Sequence, residues 1–408
     1  MPVLNNISIL YTCKDEGVQR DVHPIKDAAI AWADGAIQWV GKEAELPATY
    51  KAHERLDAGG KIVIPGLVDC HTHLSFGGWR EDEFEMRIQG RSYLDIAKAG
   101  GGILSTVKAT RAASEEELYE KSAGILKEII STGITAIECK SGYGLTLEDE
   151  LKLLRVYKRL AGEFPVHLVS TFLGAHTIPP EFKNRRQAYI SLVIDEMIPA
   201  VAENNLALFC DIFVEDSAFT VDESRTIFEA GKTHGLIPKL HADQLSPGGG
   251  AELAAEVGAI SADHLEQISD SGIEQMADAG VIGVTLPIAS LYTQQPYLNC
   301  RRLVDGGVQV AAATDFNPGS APSFDLRLAM MLTCNHGRLT PAETLKAATI
   351  YAAKAIGLDD KTGSIEIGKS ADFLKLDAPS INFWLYHHQP KKPDTIFLKG
   401  KKLPEDYE

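Results

Sequence analysis

Residues 62–73 read Ile-Val-Ile-Pro-Gly-Leu-Val-Asp-Cys-His-Thr-His, an apolar run that ends in two histidines separated by one residue. The run predicts a buried strand with His71 and His73 at its carboxyl end. Successive strand side chains point to opposite faces, so these two histidines project from the same face. That geometry suits two imidazoles on one metal ion. On its own, the motif equally fits two polar residues at the end of a buried strand.

Seven more apolar runs follow and alternate with helical patterns. They cover residues 133–139, 167–173, 206–213, 237–241, 259–264, 281–286 and 309–315. Helical patterns at 114–130, 147–160 and 250–257 lie between them, and Ser114 with Glu117 three residues later predicts a capping box. Eight strand and helix repeats predict an α/β fold, the TIM (β/α)8 barrel.

The two chain ends have a different pattern, made of short strand-like runs. These cover residues 7–11, 28–32, 36–40, 368–376 and 395–401, with a hairpin signal at Asp34-Gly35. Because chain termini often lie close together, we expect one small β-sandwich domain formed from both ends. The predicted domains are residues 1–60 plus 367–408 for the small domain and 61–366 for the barrel.

Composition narrows the class of partner. The chain has 408 residues and a formal net charge of −16, which argues against nucleic acid or an anionic membrane. It has no apolar run long enough to span a membrane and no signal-peptide pattern at its start, so we expect a cytoplasmic protein. The six cysteines form no C-x-x-C pair, which predicts neither disulfides nor a zinc knuckle.

In a TIM barrel the working residues lie at the carboxyl ends of the strands. Those positions here hold His71, His73, Glu138, Lys140, Tyr143, His176, Glu215, His241, His264 and Asp315. Converging over the barrel mouth, His71, His73, His241 and Asp315 would supply three nitrogens and one oxygen to one Zn²⁺ or Fe ion per chain. A bound ion of this kind activates water for hydrolysis, and Asp315 would take the proton. The alternative for Asp315 is a loop carboxylate that caps a turn.

These motifs resemble the amidohydrolase superfamily. The resemblance rests on residues 65–73, 239–243, 263–266 and 313–315 and covers essentially the whole chain. It implies a TIM barrel joined to a small β domain made from both chain ends. Many members bridge two metals with a lysine on strand four, but that strand here ends in Phe213-Val214-Glu215. The chain therefore resembles the members with one metal, and Lys140, just past strand two, is not that bridge.

Within the superfamily, the chain is most similar to members that hydrolyse 4-imidazolone-5-propanoate to N-formimidoyl-L-glutamate in histidine degradation. Six segments carry this likeness: residues 76–80, 100–103, 140–145, 171–176, 241–244 and 315–320. The resemblance implies a homodimer and a zinc or iron ion on the four ligands named above. It also implies substrate contacts from Arg80, Tyr143, His176, Gln244, Asn317, Gly319 and Ser320.

The residue chemistry suits a small anionic substrate. Arg80 offers a guanidinium fork to a carboxylate, and the loop amides and hydroxyl of 317–320 would complete the pocket. Tyr93 is a further candidate contact for the carboxylate. His176 would help hold the oxyanion, and His264 is a general base, an orienting donor or a further ligand. Glu266 and Glu138 would fix imidazole tautomers, although pairing with lysine inside the barrel is as good a reading.

Two other functions stay open. One is deamination of a purine or pyrimidine base by a related enzyme with one metal, which the carboxylate clamp at Arg80 argues against. The other is a non-catalytic relative used for assembly or ligand binding. Such relatives commonly lack metal ligands, whereas all four are present here.

Overall fold

The computed structural model describes residues 1–50, 52–91, 101–215, 217–389, 392–404 and 407. In chain order, the strands in these ranges are β1 (Val3–Tyr11), β2 (Pro24–Ala33), β3 (Ala36–Lys42), β4 (Arg55–Asp57), β5 (Ile62–Pro65), β6 (Leu67–Thr72), β7 (Ile134–Lys140), β8 (His167–Ala175), β9 (Phe209–Val214), β10 (Ile237–Ala242), β11 (Ser261–His264), β12 (Ile282–Thr285), β13 (Val310–Ala312), β14 (Phe373–Leu376), β15 (Thr395–Leu398) and β16 (Lys401–Lys402).

The α-helices in the same ranges are α1 (Glu81–Ile88), α2 (Ile103–Ala112), α3 (Glu115–Ser131), α4 (Leu147–Glu163), α5 (Arg186–Leu192), α6 (Ile198–Glu203), α7 (Val221–Thr233), α8 (Gly250–Val257), α9 (Asp270–Ala279), α10 (Pro287–Thr293), α11 (Cys300–Asp305), α12 (Leu326–Asn335), α13 (Pro341–Ala347), α14 (Ile350–Ala355) and α15 (Ile381–Tyr386). The predicted capping box is confirmed at the start of α3, where Ser114 accepts from the Glu117 amide and Glu117 accepts from the Ser114 amide.

The predicted TIM barrel is confirmed. Strands β6 to β13 form one parallel sheet whose spatial order follows the chain. The segment just after β13 closes the barrel against β6, because the Asp315 amide donates to His71 O at 3.0 Å and the His73 amide donates to Phe316 O at 2.8 Å. Thr314 adds a side-chain tie, since its amide and hydroxyl both donate to the Asp69 carboxylate. Closure therefore joins the two segments that carry predicted metal ligands.

The apolar run at 62–73 is two strands, whereas the sequence predicted one. β5 pairs with β1 and β14 in the small sheet, and β6 pairs with β7 in the barrel. The chain changes sheets at Gly66, whose amide donates to Asp372 O, while the next amide, of Leu67, donates to Gly133 O. β5 lies within the predicted barrel domain 61–366, so we propose that the domain boundary falls at Gly66.

The small domain combines strands from both chain ends, as predicted. Its strands belong to one hydrogen-bonded sheet in the order β16-β15-β14-β5-β1-β2-β3, with β4 beside β1. Trp32 on β2 contacts Phe373 on β14 at a ring distance of 5.2 Å. Three strand spacings separate these strands, about 14 Å along a flat sheet. The sheet therefore curls over itself and encloses an aromatic core, which gives the two-layered packing of a sandwich.

The barrel has one large apolar core. All six cysteines are free thiols, and five of them are buried. No helix in the described ranges has the length and hydrophobicity needed to cross a membrane.

The sheet junction predicts a sensitive glycine. A Cβ at Gly66 would lie 2.1 Å from Thr135 Oγ1, so Gly66→Ala should overpack the junction and lower the free energy of unfolding by about 1–3 kcal/mol. Gly162→Ala in α4 is the control, because its Cβ meets nothing within 4 Å and alanine in a helix is favoured by about 0.5–1 kcal/mol. Denaturant midpoints measure both, and an unchanged midpoint for Gly66→Ala would contradict the packing argument.

Candidate metal centre and substrate pocket

Five predicted site residues meet at the carboxyl-terminal mouth of the barrel. They are His71 in β6, His73 just after it, His241 in β10, His264 at the end of β11 and Asp315 after β13. The His71 ring lies 4.5 Å from that of His241 and 5.4 Å from that of His73. All five side chains are buried. The residues gather here because each ends, or follows, a parallel strand of one closed sheet.

Two aspartates set the orientation of two of these imidazoles. Asp263 Oδ2 lies 2.6 Å from His71 Nδ1, and Asp211 Oδ1 lies 3.0 Å from His241 Nδ1. An ionised carboxylate only accepts, so both Nδ1 atoms carry a hydrogen, and Nε2 is the nitrogen of each ring that would give its lone pair to a metal ion. Both Nε2 atoms are buried and have no hydrogen-bond partner among the described residues. Such paired, unsatisfied nitrogens are what a metal ion requires.

Asp315 faces the same point. Its Oδ1 lies 3.4 Å from His71 Nε2 and 3.5 Å from His73 Nε2. Burial alone would raise the pKa of Asp315, but the two imidazoles hold that pKa well below its usual range. His71, His73 and Asp315 each place a ligand atom within 4.8 Å of the others, and so do His71, His241 and His264. The residues present therefore fit a metal ion.

His264 reaches the mouth through strained backbone. His264 and Leu265 both have positive φ, 79° and 69°, a conformation that costs non-glycine residues about 1–3 kcal/mol each. The turn is held by the Leu265 amide, which donates to Ala242 O at 3.0 Å, and by full burial of the Leu265 side chain. His264 Nδ1 lies 3.8 Å from Glu266 Oε2, beyond hydrogen-bond distance. The sequence predicted that Glu266 fixes an imidazole tautomer or pairs with a lysine, and at His264 the hydrogen bond that would fix the tautomer is not made.

A wholly buried lysine lies beneath the histidines. Lys140 Nζ is 2.7 Å from Glu138 Oε1, 2.7 Å from Asp211 Oδ2 and 3.6 Å from Asp263 Oδ2. Glu138 was predicted either to fix an imidazole tautomer or to pair with a lysine, and in the structure it pairs with Lys140. Lys140 is the last residue of β7, rather than a residue just past it, and its side chain points into the barrel.

His176 and Tyr143 form one wall beside His73. The His176 ring stacks on His73 at 5.4 Å, and the Tyr143 ring lies 5.6 Å from both. Burial and the His73 imidazole lower the pKa of His176 to about 3, so the ring is neutral near pH 7. Its Nδ1 lies 3.0 Å from Gly142 O, which can only accept. The hydrogen is therefore on Nδ1, and Nε2 is an acceptor that cannot donate to an oxyanion.

Arg80 lies in a cavity of about 500 Å³ that Phe84, Tyr292 and Gly319 also line. The predicted fork for a substrate carboxylate is partly occupied. Arg80 Nε and Nη2 donate to the two oxygens of Glu83, at 3.0 and 2.7 Å. Arg80 Nη1 instead lies against Gly319, where a Cβ would come within 2.1 Å of it. Glu83 therefore aligns Arg80, and within the described ranges no hydrogen bond engages Arg80 Nη1.

The loop 317–320 is ordered by its own asparagine. Asn317 Oδ1 accepts from the Gly319 and Ser320 amides, both at 2.8 Å, and Asn317 Nδ2 donates to Asp315 O at 2.7 Å. The sequence predicted that these amides would bind the substrate carboxylate. In the structure they are engaged within the loop, because an asparagine oxygen two or three residues earlier satisfies them locally.

Two other predicted contacts are less defined, and one lies outside the described residues. Gln244 is half-buried and follows Asp243, whose carboxylate accepts from the Gly250 and Ala251 amides at the start of α8. Tyr93 falls in the range 92–100, which the structure does not describe. Glu215, the residue after the fourth barrel strand β9, accepts from the Leu245 amide at 2.9 Å and so holds the next loop.

Sequence reasoning gave no role to several residues of the site. Asp211 and Asp263 hold ligand imidazoles, Lys140 joins them, and Glu83 holds Arg80. A lone carboxylate inside an apolar strand was the available signal for Asp211. For Lys140 it was the spacing of two from Glu138, which places both side chains on one face.

Comparison with known proteins gives the family. A family model described as "Amidohydrolase family" matches residues 222–403. Imidazolonepropionase from Geobacillus kaustophilus is 49% identical, with 95% of this chain and 92% of that protein covered. Imidazolonepropionase from Thermoanaerobacter pseudethanolicus is 45% identical, with 98% and 97% covered.

Solved structures share the fold at low identity. Atrazine chlorohydrolase TrzN from Arthrobacter aurescens, complexed with zinc, has a TM-score of 0.72 and 15% identity, with 100% of this chain and 96% of that chain covered. An adenosine deaminase from Xanthomonas campestris with bound zinc has a TM-score of 0.71 and 17% identity, with 98% and 92% covered. The extent of identity to the curated relatives is what decides membership: the chain belongs to the imidazolonepropionase family of the amidohydrolase superfamily.

Proposed function

We propose that this chain hydrolyses the cyclic amide bond of 4-imidazolone-5-propanoate to give N-formimidoyl-L-glutamate in histidine degradation. The observation that carries this proposal is the cluster of histidine nitrogens and the Asp315 carboxylate at the mouth of a barrel from this family. A cavity with Arg80 on its wall adds a cation for the propanoate. The net charge of −16 makes such a local cation necessary for an anionic substrate.

The proposed cofactor is one zinc or iron ion per chain, held by His71, His73, His241 and Asp315. Imidazole and carboxylate ligands suit both metals. When bound, the ion would polarise the ring carbonyl and lower the pKa of a water molecule. His264 is near enough to His71 and His241 to be a further ligand or a base, and both roles stay in the proposal.

The side chains divide the remaining work. Asp315 takes the proton of the attacking water and returns it to the ring nitrogen, so that the C–N bond to the carbonyl breaks and this nitrogen leaves as part of the amidine of the formimidoyl group. His176 accepts a hydrogen bond at Nε2 from an N–H of the substrate ring, because the hydrogen of the His176 imidazole is on Nδ1. Tyr143 and Gln244 provide further hydrogen bonds to the substrate.

The propanoate binds at the Nη1 edge of Arg80, which donates no hydrogen bond to the described residues. Glu83 carries the counter-charge that fixes the guanidinium, and the pKa of Glu83 is lowered by Arg80 although burial opposes this. Asn317, Gly319 and Ser320 act by shaping the loop against which Arg80 packs, and Ser320 Oγ remains a candidate donor. Tyr93 remains a candidate contact on sequence grounds.

The proposed setting follows from the family and the charge. The protein would act as a cytoplasmic homodimer on a small anionic molecule, with neither nucleic acid nor membrane as partner. Size-exclusion chromatography with light scattering tests the dimer.

The function is tested by measuring two properties of one preparation. Elemental analysis should find about one zinc or iron per chain, as expected for one set of three imidazoles and a carboxylate. Freshly made 4-imidazolone-5-propanoate should then lose its absorbance rapidly. Removal of the metal with a chelator should abolish turnover, and readdition should restore it. Bound metal with turnover of guanine or cytosine, and none of the imidazolone, would favour the deaminase alternative.

Asp315→Asn should separate proton transfer from metal binding. The three imidazoles remain, so much of the metal should stay bound, while turnover should fall by about 10²–10⁴-fold. Metal content and kcat are measured on the same sample. Near-normal turnover would remove Asp315 from the proton-transfer role, and complete loss of metal would make it mainly a ligand.

Arg80→Met should weaken recognition of the propanoate. One charge-assisted hydrogen bond contributes about 1.5–3 kcal/mol, so kcat/KM should fall by about 10–100-fold, mainly through KM. The propanamide analogue, which lacks the charge, should be turned over equally by the variant and the parent protein. Arg225→Met, at an exposed ion pair with Glu256, is the surface control. An unchanged kcat/KM for Arg80→Met would place the carboxylate elsewhere.

A further inference from the structure

Lys140 connects the two carboxylates that orient ligand histidines. Two side chains contact the Asp211 carboxylate: His241 Nδ1 donates to Oδ1 at 3.0 Å and Lys140 Nζ donates to Oδ2 at 2.7 Å. Asp263 Oδ2 faces both His71 Nδ1, at 2.6 Å, and Lys140 Nζ, at 3.6 Å. All of these side chains are buried, and they come from strands β6, β7, β9, β10 and β11.

We propose that Lys140 is a positioning residue of the metal centre, which sets the orientation of His241, and to a smaller degree of His71, by holding Asp211 and Asp263. The inference rests on the proposed metal site and deepens it. Among the described residues, the ion pairs of Lys140 are with Glu138, Asp211 and Asp263, and none is with a proposed metal ligand. Lys140 acts through the carboxylates, because partners of this kind orient ligating imidazoles.

The contacts make the two aspartates unequally dependent on Lys140. Asp263 has another holder, because Ser261 Oγ donates to its Oδ1 at 2.7 Å and Lys239 Nζ in turn donates to Ser261 Oγ at 2.8 Å. Asp211 Oδ2 is held by Lys140 Nζ, and its Oδ1 also receives the His241 amide at 3.2 Å. Without Lys140, Asp211 can rotate about its last side-chain bond and carry the His241 hydrogen bond with it. His241 should therefore be the ligand that is disturbed most.

A structural ion pair alone would behave differently. Loss of a buried cation among carboxylates lowers stability wherever it lies in the protein. A positioning role also changes the metal site in protein that is still folded. The test must therefore separate metal binding from stability.

The variant is Lys140→Met combined with Glu138→Gln, which removes one positive and one negative charge together. Glu138→Gln alone gives the effect of the second change. The matched control is Lys152→Met on α4, since Lys152 is also buried but donates to backbone O atoms of Thr110 and Ala113, away from the metal centre. Melting temperature, cobalt affinity by chelator competition and the visible spectrum of bound Co²⁺ are measured for each protein.

The double variant should bind Co²⁺ about 10–100-fold more weakly than Glu138→Gln, the range typical for losing an orienting partner, and its cobalt spectrum should change. Lys152→Met should lower the melting temperature and leave affinity and spectrum as in the parent protein. Parental affinity and spectrum in the folded double variant would overturn the proposal, and so would an equal loss in Lys152→Met.

If the double variant does not fold, a milder substitution at Lys140 tests the proposal. Lys140→Gln is uncharged and shorter than lysine, so it should hold Asp211 less well while still filling part of the same space, and cobalt affinity should fall. Parental cobalt affinity and spectrum in that variant would overturn the proposal as well. None of these readouts needs a substrate. A parent protein that binds cobalt but does not hydrolyse the imidazolone would refute the proposed function and leave the role of Lys140 to be decided by the variants.

Discussion

The closure of the barrel is the constraint on which the site depends. Two backbone hydrogen bonds, from Asp315 to His71 and from His73 to Phe316, join the end of the chain's last barrel segment to its first strand. The same residues carry three of the proposed metal ligands, so an open sheet would separate them by the width of the sheet. Thr314, bonded twice to Asp69, strengthens this seam. Closure of the barrel therefore also brings these three proposed ligands together.

Closure of the barrel places the proposed ligands, and hydrogen bonds to the imidazoles then decide which ring nitrogen faces the mouth. His71 and His241 could each turn either nitrogen toward the mouth. Carboxylates at both Nδ1 atoms leave the Nε2 atoms facing the centre, where they have no hydrogen-bond partner among the described residues. His176 differs because its Nδ1 faces a carbonyl and its ring is neutral, so beside a cluster of ligands it is suited to contact substrate.

The sequence predicted the repeated strands of the barrel and the polar residues at the ends of those strands. Eight apolar runs predicted the barrel, and polar residues at their ends predicted which side chains would meet. It did not predict that the run at 62–73 divides into two strands at Gly66. Proline and glycine within an apolar run are equally compatible with a bulge in one strand and with a change from one sheet to another. It also missed the pairs Arg80–Glu83 and Asn317–Gly319. These local hydrogen bonds engage the same groups that were predicted to contact the substrate. Whether they form depends on the conformation of the loops, which cannot be predicted from the spacing of apolar residues.

Asn317 links the two ends of the site. Its amide nitrogen holds the carbonyl of Asp315, and its amide oxygen holds the Gly319 and Ser320 amides, so the proposed ligand and the proposed carboxylate pocket lie on one internally bonded segment. Gly319 packs directly against Arg80 Nη1, where any side chain would collide with the guanidinium. The separation between Asp315 and Arg80 is thus set by a short, ordered stretch of backbone. A substrate whose ring and carboxylate span that separation would be favoured over shorter or longer acids. The loop would therefore select substrates by the distance between ring and carboxylate.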